Sequence, residues 1–76
     1  MMRYGIVIEK GDCNYSAYIP DLPGCVTTGA SVAEIKRNMR EAIELHLEGM
    51  RQDGDAIPAP SAIADYIDID ADATVV

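Results

Sequence analysis

Residues 18–31 read YIPDLPGCVTTGAS, and their reading decides the fold. Pro20 removes an N–H from any strand ladder, so it ends a strand running through residues 15–19. Asp21 suits a turn because its carboxylate accepts backbone hydrogen bonds, Pro23 fixes its own φ, and Gly24 tolerates φ above zero. Residues 25–29, CVTTG, resume as a strand, short and polar as a sheet edge tends to be. Ser31 then opens a helix. In SVAE (31–34) the Ser31 hydroxyl is placed to accept from the Glu34 N–H while the Glu34 carboxylate reaches back, a capping box.

Upstream, residues 3–10 (RYGIVIEK) are rich in β-branched side chains and predict a strand. Tyr4, Ile6 and Ile8 share one face; Gly5, Val7 and Glu9 share the other. Apolar residues on both faces point to a central position in the sheet. Gly11-Asp12-Cys13-Asn14 has hairpin-turn composition, and YSAYI (15–19) returns with Tyr15, Ala17 and Ile19 on one side and Ser16 and Tyr18 on the other.

Downstream, Val32, Ile35, Met39, Ala42, Ile43, His46, Leu47 and Met50 recur at spacings of three and four, the apolar stripe of a helix. The opposite side holds Arg37, Arg40, Glu41, Glu44 and Glu48, with Arg37–Glu41 and Arg40–Glu44 spaced for ion pairs. Gly54 followed by Pro58 ends the helix. Residues 65–70 (DYIDID) alternate again and predict a fourth strand, with 71–76 as a frayed tail. The expected fold is α+β in β-β-β-α-β order: one domain over 1–76, with a small, mostly antiparallel sheet and one helix on one face. The last strand is expected beside and parallel to the first. One helix cannot bury both sheet faces, so a homodimer through the other face or an edge strand is expected.

The 76-residue chain carries 13 acidic and 6 basic side chains, a net charge of −7. The surplus is lopsided: residues 53–76 hold six Asp and no Lys or Arg. Such a segment repels nucleic-acid phosphates and attracts a basic partner. No membrane-spanning run or secretory signal is present, which predicts a soluble cytoplasmic protein. Cys13 and Cys25 would lie ~20 Å apart at the two ends of a strand, too far for a disulfide, so free thiols are expected.

Candidate chemistry is sparse. His46 lies within the apolar stripe and reads as a core-margin residue more readily than as a general base. Asp68 and Asp70 share one face of the expected last strand, with Glu9 on its expected neighbour. Carboxylates so placed would hold Mg²⁺ for phosphodiester cleavage, but no basic patch accompanies them and a solvated strand face is the better reading. Cys25 has no cation nearby in sequence to activate it and reads as a small buried side chain. No catalytic residue, metal site or cofactor is expected.

The pattern Tyr18-x-Pro20-Asp21-Leu22-Pro23-Gly24-Cys25-x-Thr27-x-Gly29-x-Ser31, followed by Asn38 and Glu41-Ala42 on a helix and IPAP at 57–60, resembles the HicB-like antitoxin family over about residues 3–70. The resemblance implies a partial ribonuclease-H-like fold. It also implies a partner, a small basic HicA-type toxin that cleaves mRNA, which the antitoxin occludes, often as a dimer or larger. Many members add a DNA-binding module. None is legible here, and direct DNA binding is not expected of this chain. Pro20, Pro23, Gly24, Cys25, Gly29, Ser31 and Glu34 are assigned to structure. Tyr18, Asp21, Leu22, Asp68 and Asp70 are the candidate partner contacts. The alternatives are a minimal metal-dependent nuclease using Glu9, Asp68 and Asp70, and an orphan oligomeric protein-binding domain.

Overall fold

The structure, a computed structural model, describes residues 2–71. Three antiparallel strands and one helix follow in the order β1 (Val7–Lys10), β2 (Tyr15–Tyr18), β3 (Val26–Gly29) and α1 (Val32–Gln52). The class is α+β as expected. Residues 11–14 make the first hairpin loop, closed by the Gly11 N–H donating to the Asn14 carbonyl at 2.7 Å. The pairings Ile8↔Ala17 and Ala17↔Thr27 put the small residue of β2 at the centre of the helix-covered face.

The corner between β2 and β3 consists of two consecutive turns. The Leu22 N–H donates to the Ile19 carbonyl and the Cys25 N–H to the Leu22 carbonyl, both at 3.0 Å, while the Ile19 N–H reaches the Cys25 carbonyl at 3.2 Å. Pro20 and Pro23 each stand second in a turn, where a fixed φ is an advantage. Gly24 stands third in its turn with φ 83°, a conformation that other residues adopt only with strain. This geometry drives Leu22 inward to 1% exposure, beside Ile19, Cys25, Ile35 and Met39.

The helix begins as the capping box requires, with one difference. The Ser31 Oγ accepts from the Glu34 N–H at 3.1 Å, but the Glu34 carboxylate accepts from the Ala30 N–H at 2.7 Å, one residue before the cap. At the other end Gly54 takes φ 74°, and the N–H groups of Asp53, Gly54 and Asp55 return to the Gly49, Arg51 and Met50 carbonyls. Ile35, Met39 and Leu47 are buried, with Ala42, Ile43 and Met50 packed against them. Val32 ends the stripe exposed. The expected Arg37–Glu41 and Arg40–Glu44 pairs do not close. Among the described residues the ion pair on this helix is Arg51–Glu48 at 3.3 Å.

A helix of this length spans ~31 Å and a four-residue strand ~13 Å, so α1 overhangs the sheet. Tyr4, Ile6 and Ile57 pack against the core in support, and the Tyr4 hydroxyl donates to the Pro58 carbonyl at 2.6 Å.

Two expectations are corrected. Residues 65–70 form no strand, although their alternation predicted one. Ile67 and Ile69 are 84% and 72% exposed, so the pattern has no buried face to serve within this chain. Without that strand the sheet order is β1-β2-β3, and β1 is an edge rather than the centre. The radius of gyration is 15.0 Å, against ~11 Å for a compact chain of this length. Most of the expected tail, 72–76, lies outside the described residues.

The tightest contact is between β3 and α1. A Cβ on Gly29 would stand 2.9 Å from the Ile35 nitrogen and 3.0 Å from its Cα, both backbone atoms. Gly29→Ala should cost about 1–3 kcal/mol of stability through overpacking, and Leu22→Ala about 2–5 kcal/mol through the cavity left in the core. Urea unfolding followed by helical circular dichroism measures both.

Candidate partner-binding surface

Strand register sets out the exposed side of the sheet. Val7 pairs with Tyr18 and Tyr18 with Val26, so one apolar row crosses all three strands on the face away from the helix. Val7 is half-buried, Tyr18 is 42% exposed and Val26 is 65% exposed. The adjacent row, Glu9–Ser16–Thr28, is polar. Each member of the row is held by the strand ladder of a sheet whose other face is packed. Such a patch buries well against a complementary protein surface. Tyr18, an expected candidate contact, lies in this row. Val26 is not among the expected candidates, although its place in the row follows from the alternation of CVTTG once Cys25 is recognised as an inward residue.

Asp21 accepts backbone hydrogen bonds as expected, but from donors beyond the helix and not from its own turn. Its carboxylate accepts three hydrogen bonds from a segment forty residues away: the Ser61 hydroxyl at 2.6 Å, the Ser61 N–H at 2.9 Å and the Ala62 N–H at 3.0 Å. The Ser61 hydroxyl first, then the two backbone N–H groups, hold the Asp21 carboxyl below its ordinary value. The corner therefore clamps the chain beyond the helix. Nothing in the sequence linked Ser61 to Asp21, because no periodicity or local spacing connects them. Just past the clamp, Ala62 runs against Gly5, where an added Cβ would lie 3.3 Å from the Ala62 carbonyl oxygen.

The other candidates separate. Leu22 is corrected from a rim contact to a core residue, since the two turns bury its side chain. Asp68 and Asp70 are exposed on the segment that follows the clamp. That segment makes no ladder with β1, so the expected pairing with Glu9 is absent. No group of three His, Cys, Asp or Glu side chains able to hold a metal ion occurs among the described residues. His46 is half-buried on the helix. Cys25 is buried with its Sγ 3.9 Å from the Met39 sulfur, and burial pushes its thiol pKa up, while Cys13 is exposed. Both thiols are free. No helix of the described residues is long and apolar enough to cross a membrane.

The clamp should respond to pH with a defined sign. Because the folded Asp21 pKa lies below its ordinary 3.8, the clamp's contribution is fully present above that value and is lost as pH falls through the folded pKa. The Ser61 and Ala62 amides should exchange slowly at neutral pH and severalfold faster in Asp21→Ala. The difference should vanish in strong acid, as hydrogen exchange read by NMR would record.

Comparison with known proteins accords with this architecture. The model of the HicB-like antitoxin of bacterial toxin–antitoxin systems matches residues 4–75. A 14.9 kDa protein from the rep-hol intergenic region of Haemophilus phage HP1 is 41% identical over 66 residues, which cover 87% of this chain and 50% of that protein. The chain thus spans half the length of that relative. UPF0150 proteins of Helicobacter pylori and Archaeoglobus fulgidus are 46% and 44% identical, over 68% and 74% of this chain and 72% and 86% of theirs. Among solved structures, a chain of a HicA3 and HicB3 toxin-antitoxin complex superposes with a TM-score of 0.69 at 33% identity, covering 79% of this chain and 70% of that one. With its corner, capped helix and three-stranded sheet in place, the chain belongs to the HicB-like antitoxin family of bacterial toxin–antitoxin systems.

Proposed function

We propose that this chain is the antitoxin of a type II toxin–antitoxin pair and neutralises a small basic HicA-type ribonuclease by covering it, without catalysis of its own. The observation that carries the reading is the likeness, at 33% identity and a TM-score of 0.69, to a chain of a HicA3 and HicB3 complex. Charge supports it: a net −7, with no cation after Arg51, suits a protein that competes with RNA for a basic surface. On this reading Tyr18 and Val26 offer an apolar anchor on the helix-free face, while the exposed Asp68 and Asp70 supply acidic contacts. A desolvated aromatic centre with a charged rim is the usual division of labour in such interfaces. The site of action is the cytoplasm, where mRNA is cleaved.

The test is a titration of purified HicA-type toxin from the same genome with this chain, reading RNA cleavage and, separately, affinity by calorimetry. Full suppression of cleavage at stoichiometric antitoxin is expected, with affinity falling as salt rises. Tyr18→Ala should weaken binding by tenfold or more, about 1.4 kcal/mol, and Asp68→Asn with Asp70→Asn should flatten the salt dependence. Absence of binding would overturn the reading. Binding indifferent to all three substitutions would place the interface elsewhere on the chain.

A further inference from the structure

Away from the Tyr18–Val26 row, the chain encloses a groove of about 690 Å³, within the size range of clefts that hold ligands. The segment before β1 lines it through Arg3, Tyr4 and Ile6, the helix through Lys36, and the chain around the clamp through residues 60–64. Its chemistry departs from that of the whole molecule. The chain has 13 acidic and 6 basic side chains, yet no acidic side chain of the described residues lines the groove, whereas Arg3 and Lys36 both do. Neither cation closes an ion pair among the described residues. Tyr4, Ile6, Pro60 and Ile63 add apolar surface to the same lining, and Ile63 is 90% exposed.

Two cations beside apolar surface suit an occupant that brings carboxylates and apolar side chains within a few residues of each other. An extended peptide does this, because its successive side chains alternate in direction. Complementary charge adds selectivity and speeds encounter. A nucleic acid suits the groove less well. Its affinity comes from many phosphates neutralised together, whereas the lining offers two cations. Asp65 also follows the lining residue Ala64 directly, well inside the ~8 Å over which charges repel at physiological salt.

We propose that this groove binds an extended acidic peptide segment of a protein partner, with its carboxylates on Arg3 and Lys36 and its apolar side chains against Tyr4, Ile6 and Ile63. The groove exists only while the chain beyond the helix is docked. Asp21 holds the lining residues Ser61 and Ala62, and Tyr4, itself in the lining, donates to the Pro58 carbonyl at 2.6 Å. Asp21 is therefore a positioning residue, absent from the lining but needed to assemble it. Occupancy and clamping favour each other by linkage, since an occupant that requires the docked segment also stabilises it. Tyr18 and Val26 take no part in the groove, so its partner differs in place and in charge from the basic toxin proposed above.

The experiment is an NMR titration of this chain, without toxin, by a short end-capped peptide alternating Glu and Val. Saturable shifts are expected at the amides of residues 3–6, 36 and 61–64, with slower exchange of the Ser61 and Ala62 amides as the peptide is added. Arg3→Gln with Lys36→Gln should weaken binding tenfold or more and leave the helical circular dichroism unchanged, because both side chains are exposed. Lys10→Gln, a charge removed outside the groove, should leave binding as it was. Asp21→Ala should weaken binding severalfold with the helix intact. Absence of saturable shifts would overturn the proposal, as would equal binding by the peptide with Lys in place of Glu. Indifference to the Arg3 and Lys36 substitutions, or to Asp21→Ala, would overturn it too. Tighter binding of a single-stranded RNA oligonucleotide at the same amides would assign the groove to nucleic acid instead.

Discussion

The structure depends on the pair of turns between Ile19 and Cys25. Three backbone hydrogen bonds close them, and each does a separate task. The Ile19–Cys25 bond extends the β2–β3 ladder and fixes its register. The two inner bonds invert the chain so that Leu22 enters the core while its neighbour Asp21 faces outward. A single short loop therefore supplies both a central core residue and the acceptor that holds the chain after the helix. Prolines at the second position of each turn reduce the conformations that must be given up on folding, an advantage in a domain too small to bury much surface.

From that corner the division of the surface follows. The helix covers the face bearing Ala17 and Gly29, where the absence of side-chain bulk lets backbone approach backbone. The opposite face keeps Val7, Tyr18 and Val26 in one row across the strands.

Most of the fold was legible because its signals are local. Pro20, Pro23 and Gly24 report backbone conformations, Ser31 and Glu34 report a helix start, and the stripe from Ile35 to Met50 reports one buried face. Each depends on residues a few positions apart. The misreadings share the opposite property. Alternation in DYIDID suggests a strand but says nothing of whether another strand is there to pair with it, and none pairs with it among the described residues. The centrality of β1 was inferred from apolar residues on both of its faces, which an edge strand beside a packed helix carries as well. Leu22 was placed at the rim because composition identifies a turn without saying which of its side chains points inward. Asp21 was recognised as a hydrogen-bond acceptor, yet its donors at Ser61 and Ala62 lie beyond any local pattern.

The clamp also divides the chain by sequence distance. Each strand pairs with the next, and the helix packs on the strand just before it, so the body from β1 to α1 is assembled from near neighbours in sequence. The bonds from Asp21 to Ser61 and Ala62, and from Tyr4 to Pro58, instead span 40, 41 and 54 positions. Closing such loops on an unfolded chain costs conformational entropy that a few hydrogen bonds do not offset, whereas on a formed body the helix has already brought the ends together. Residues 57–62 are thus a strap whose attachment presupposes the body, and whose release leaves the body's own contacts untouched.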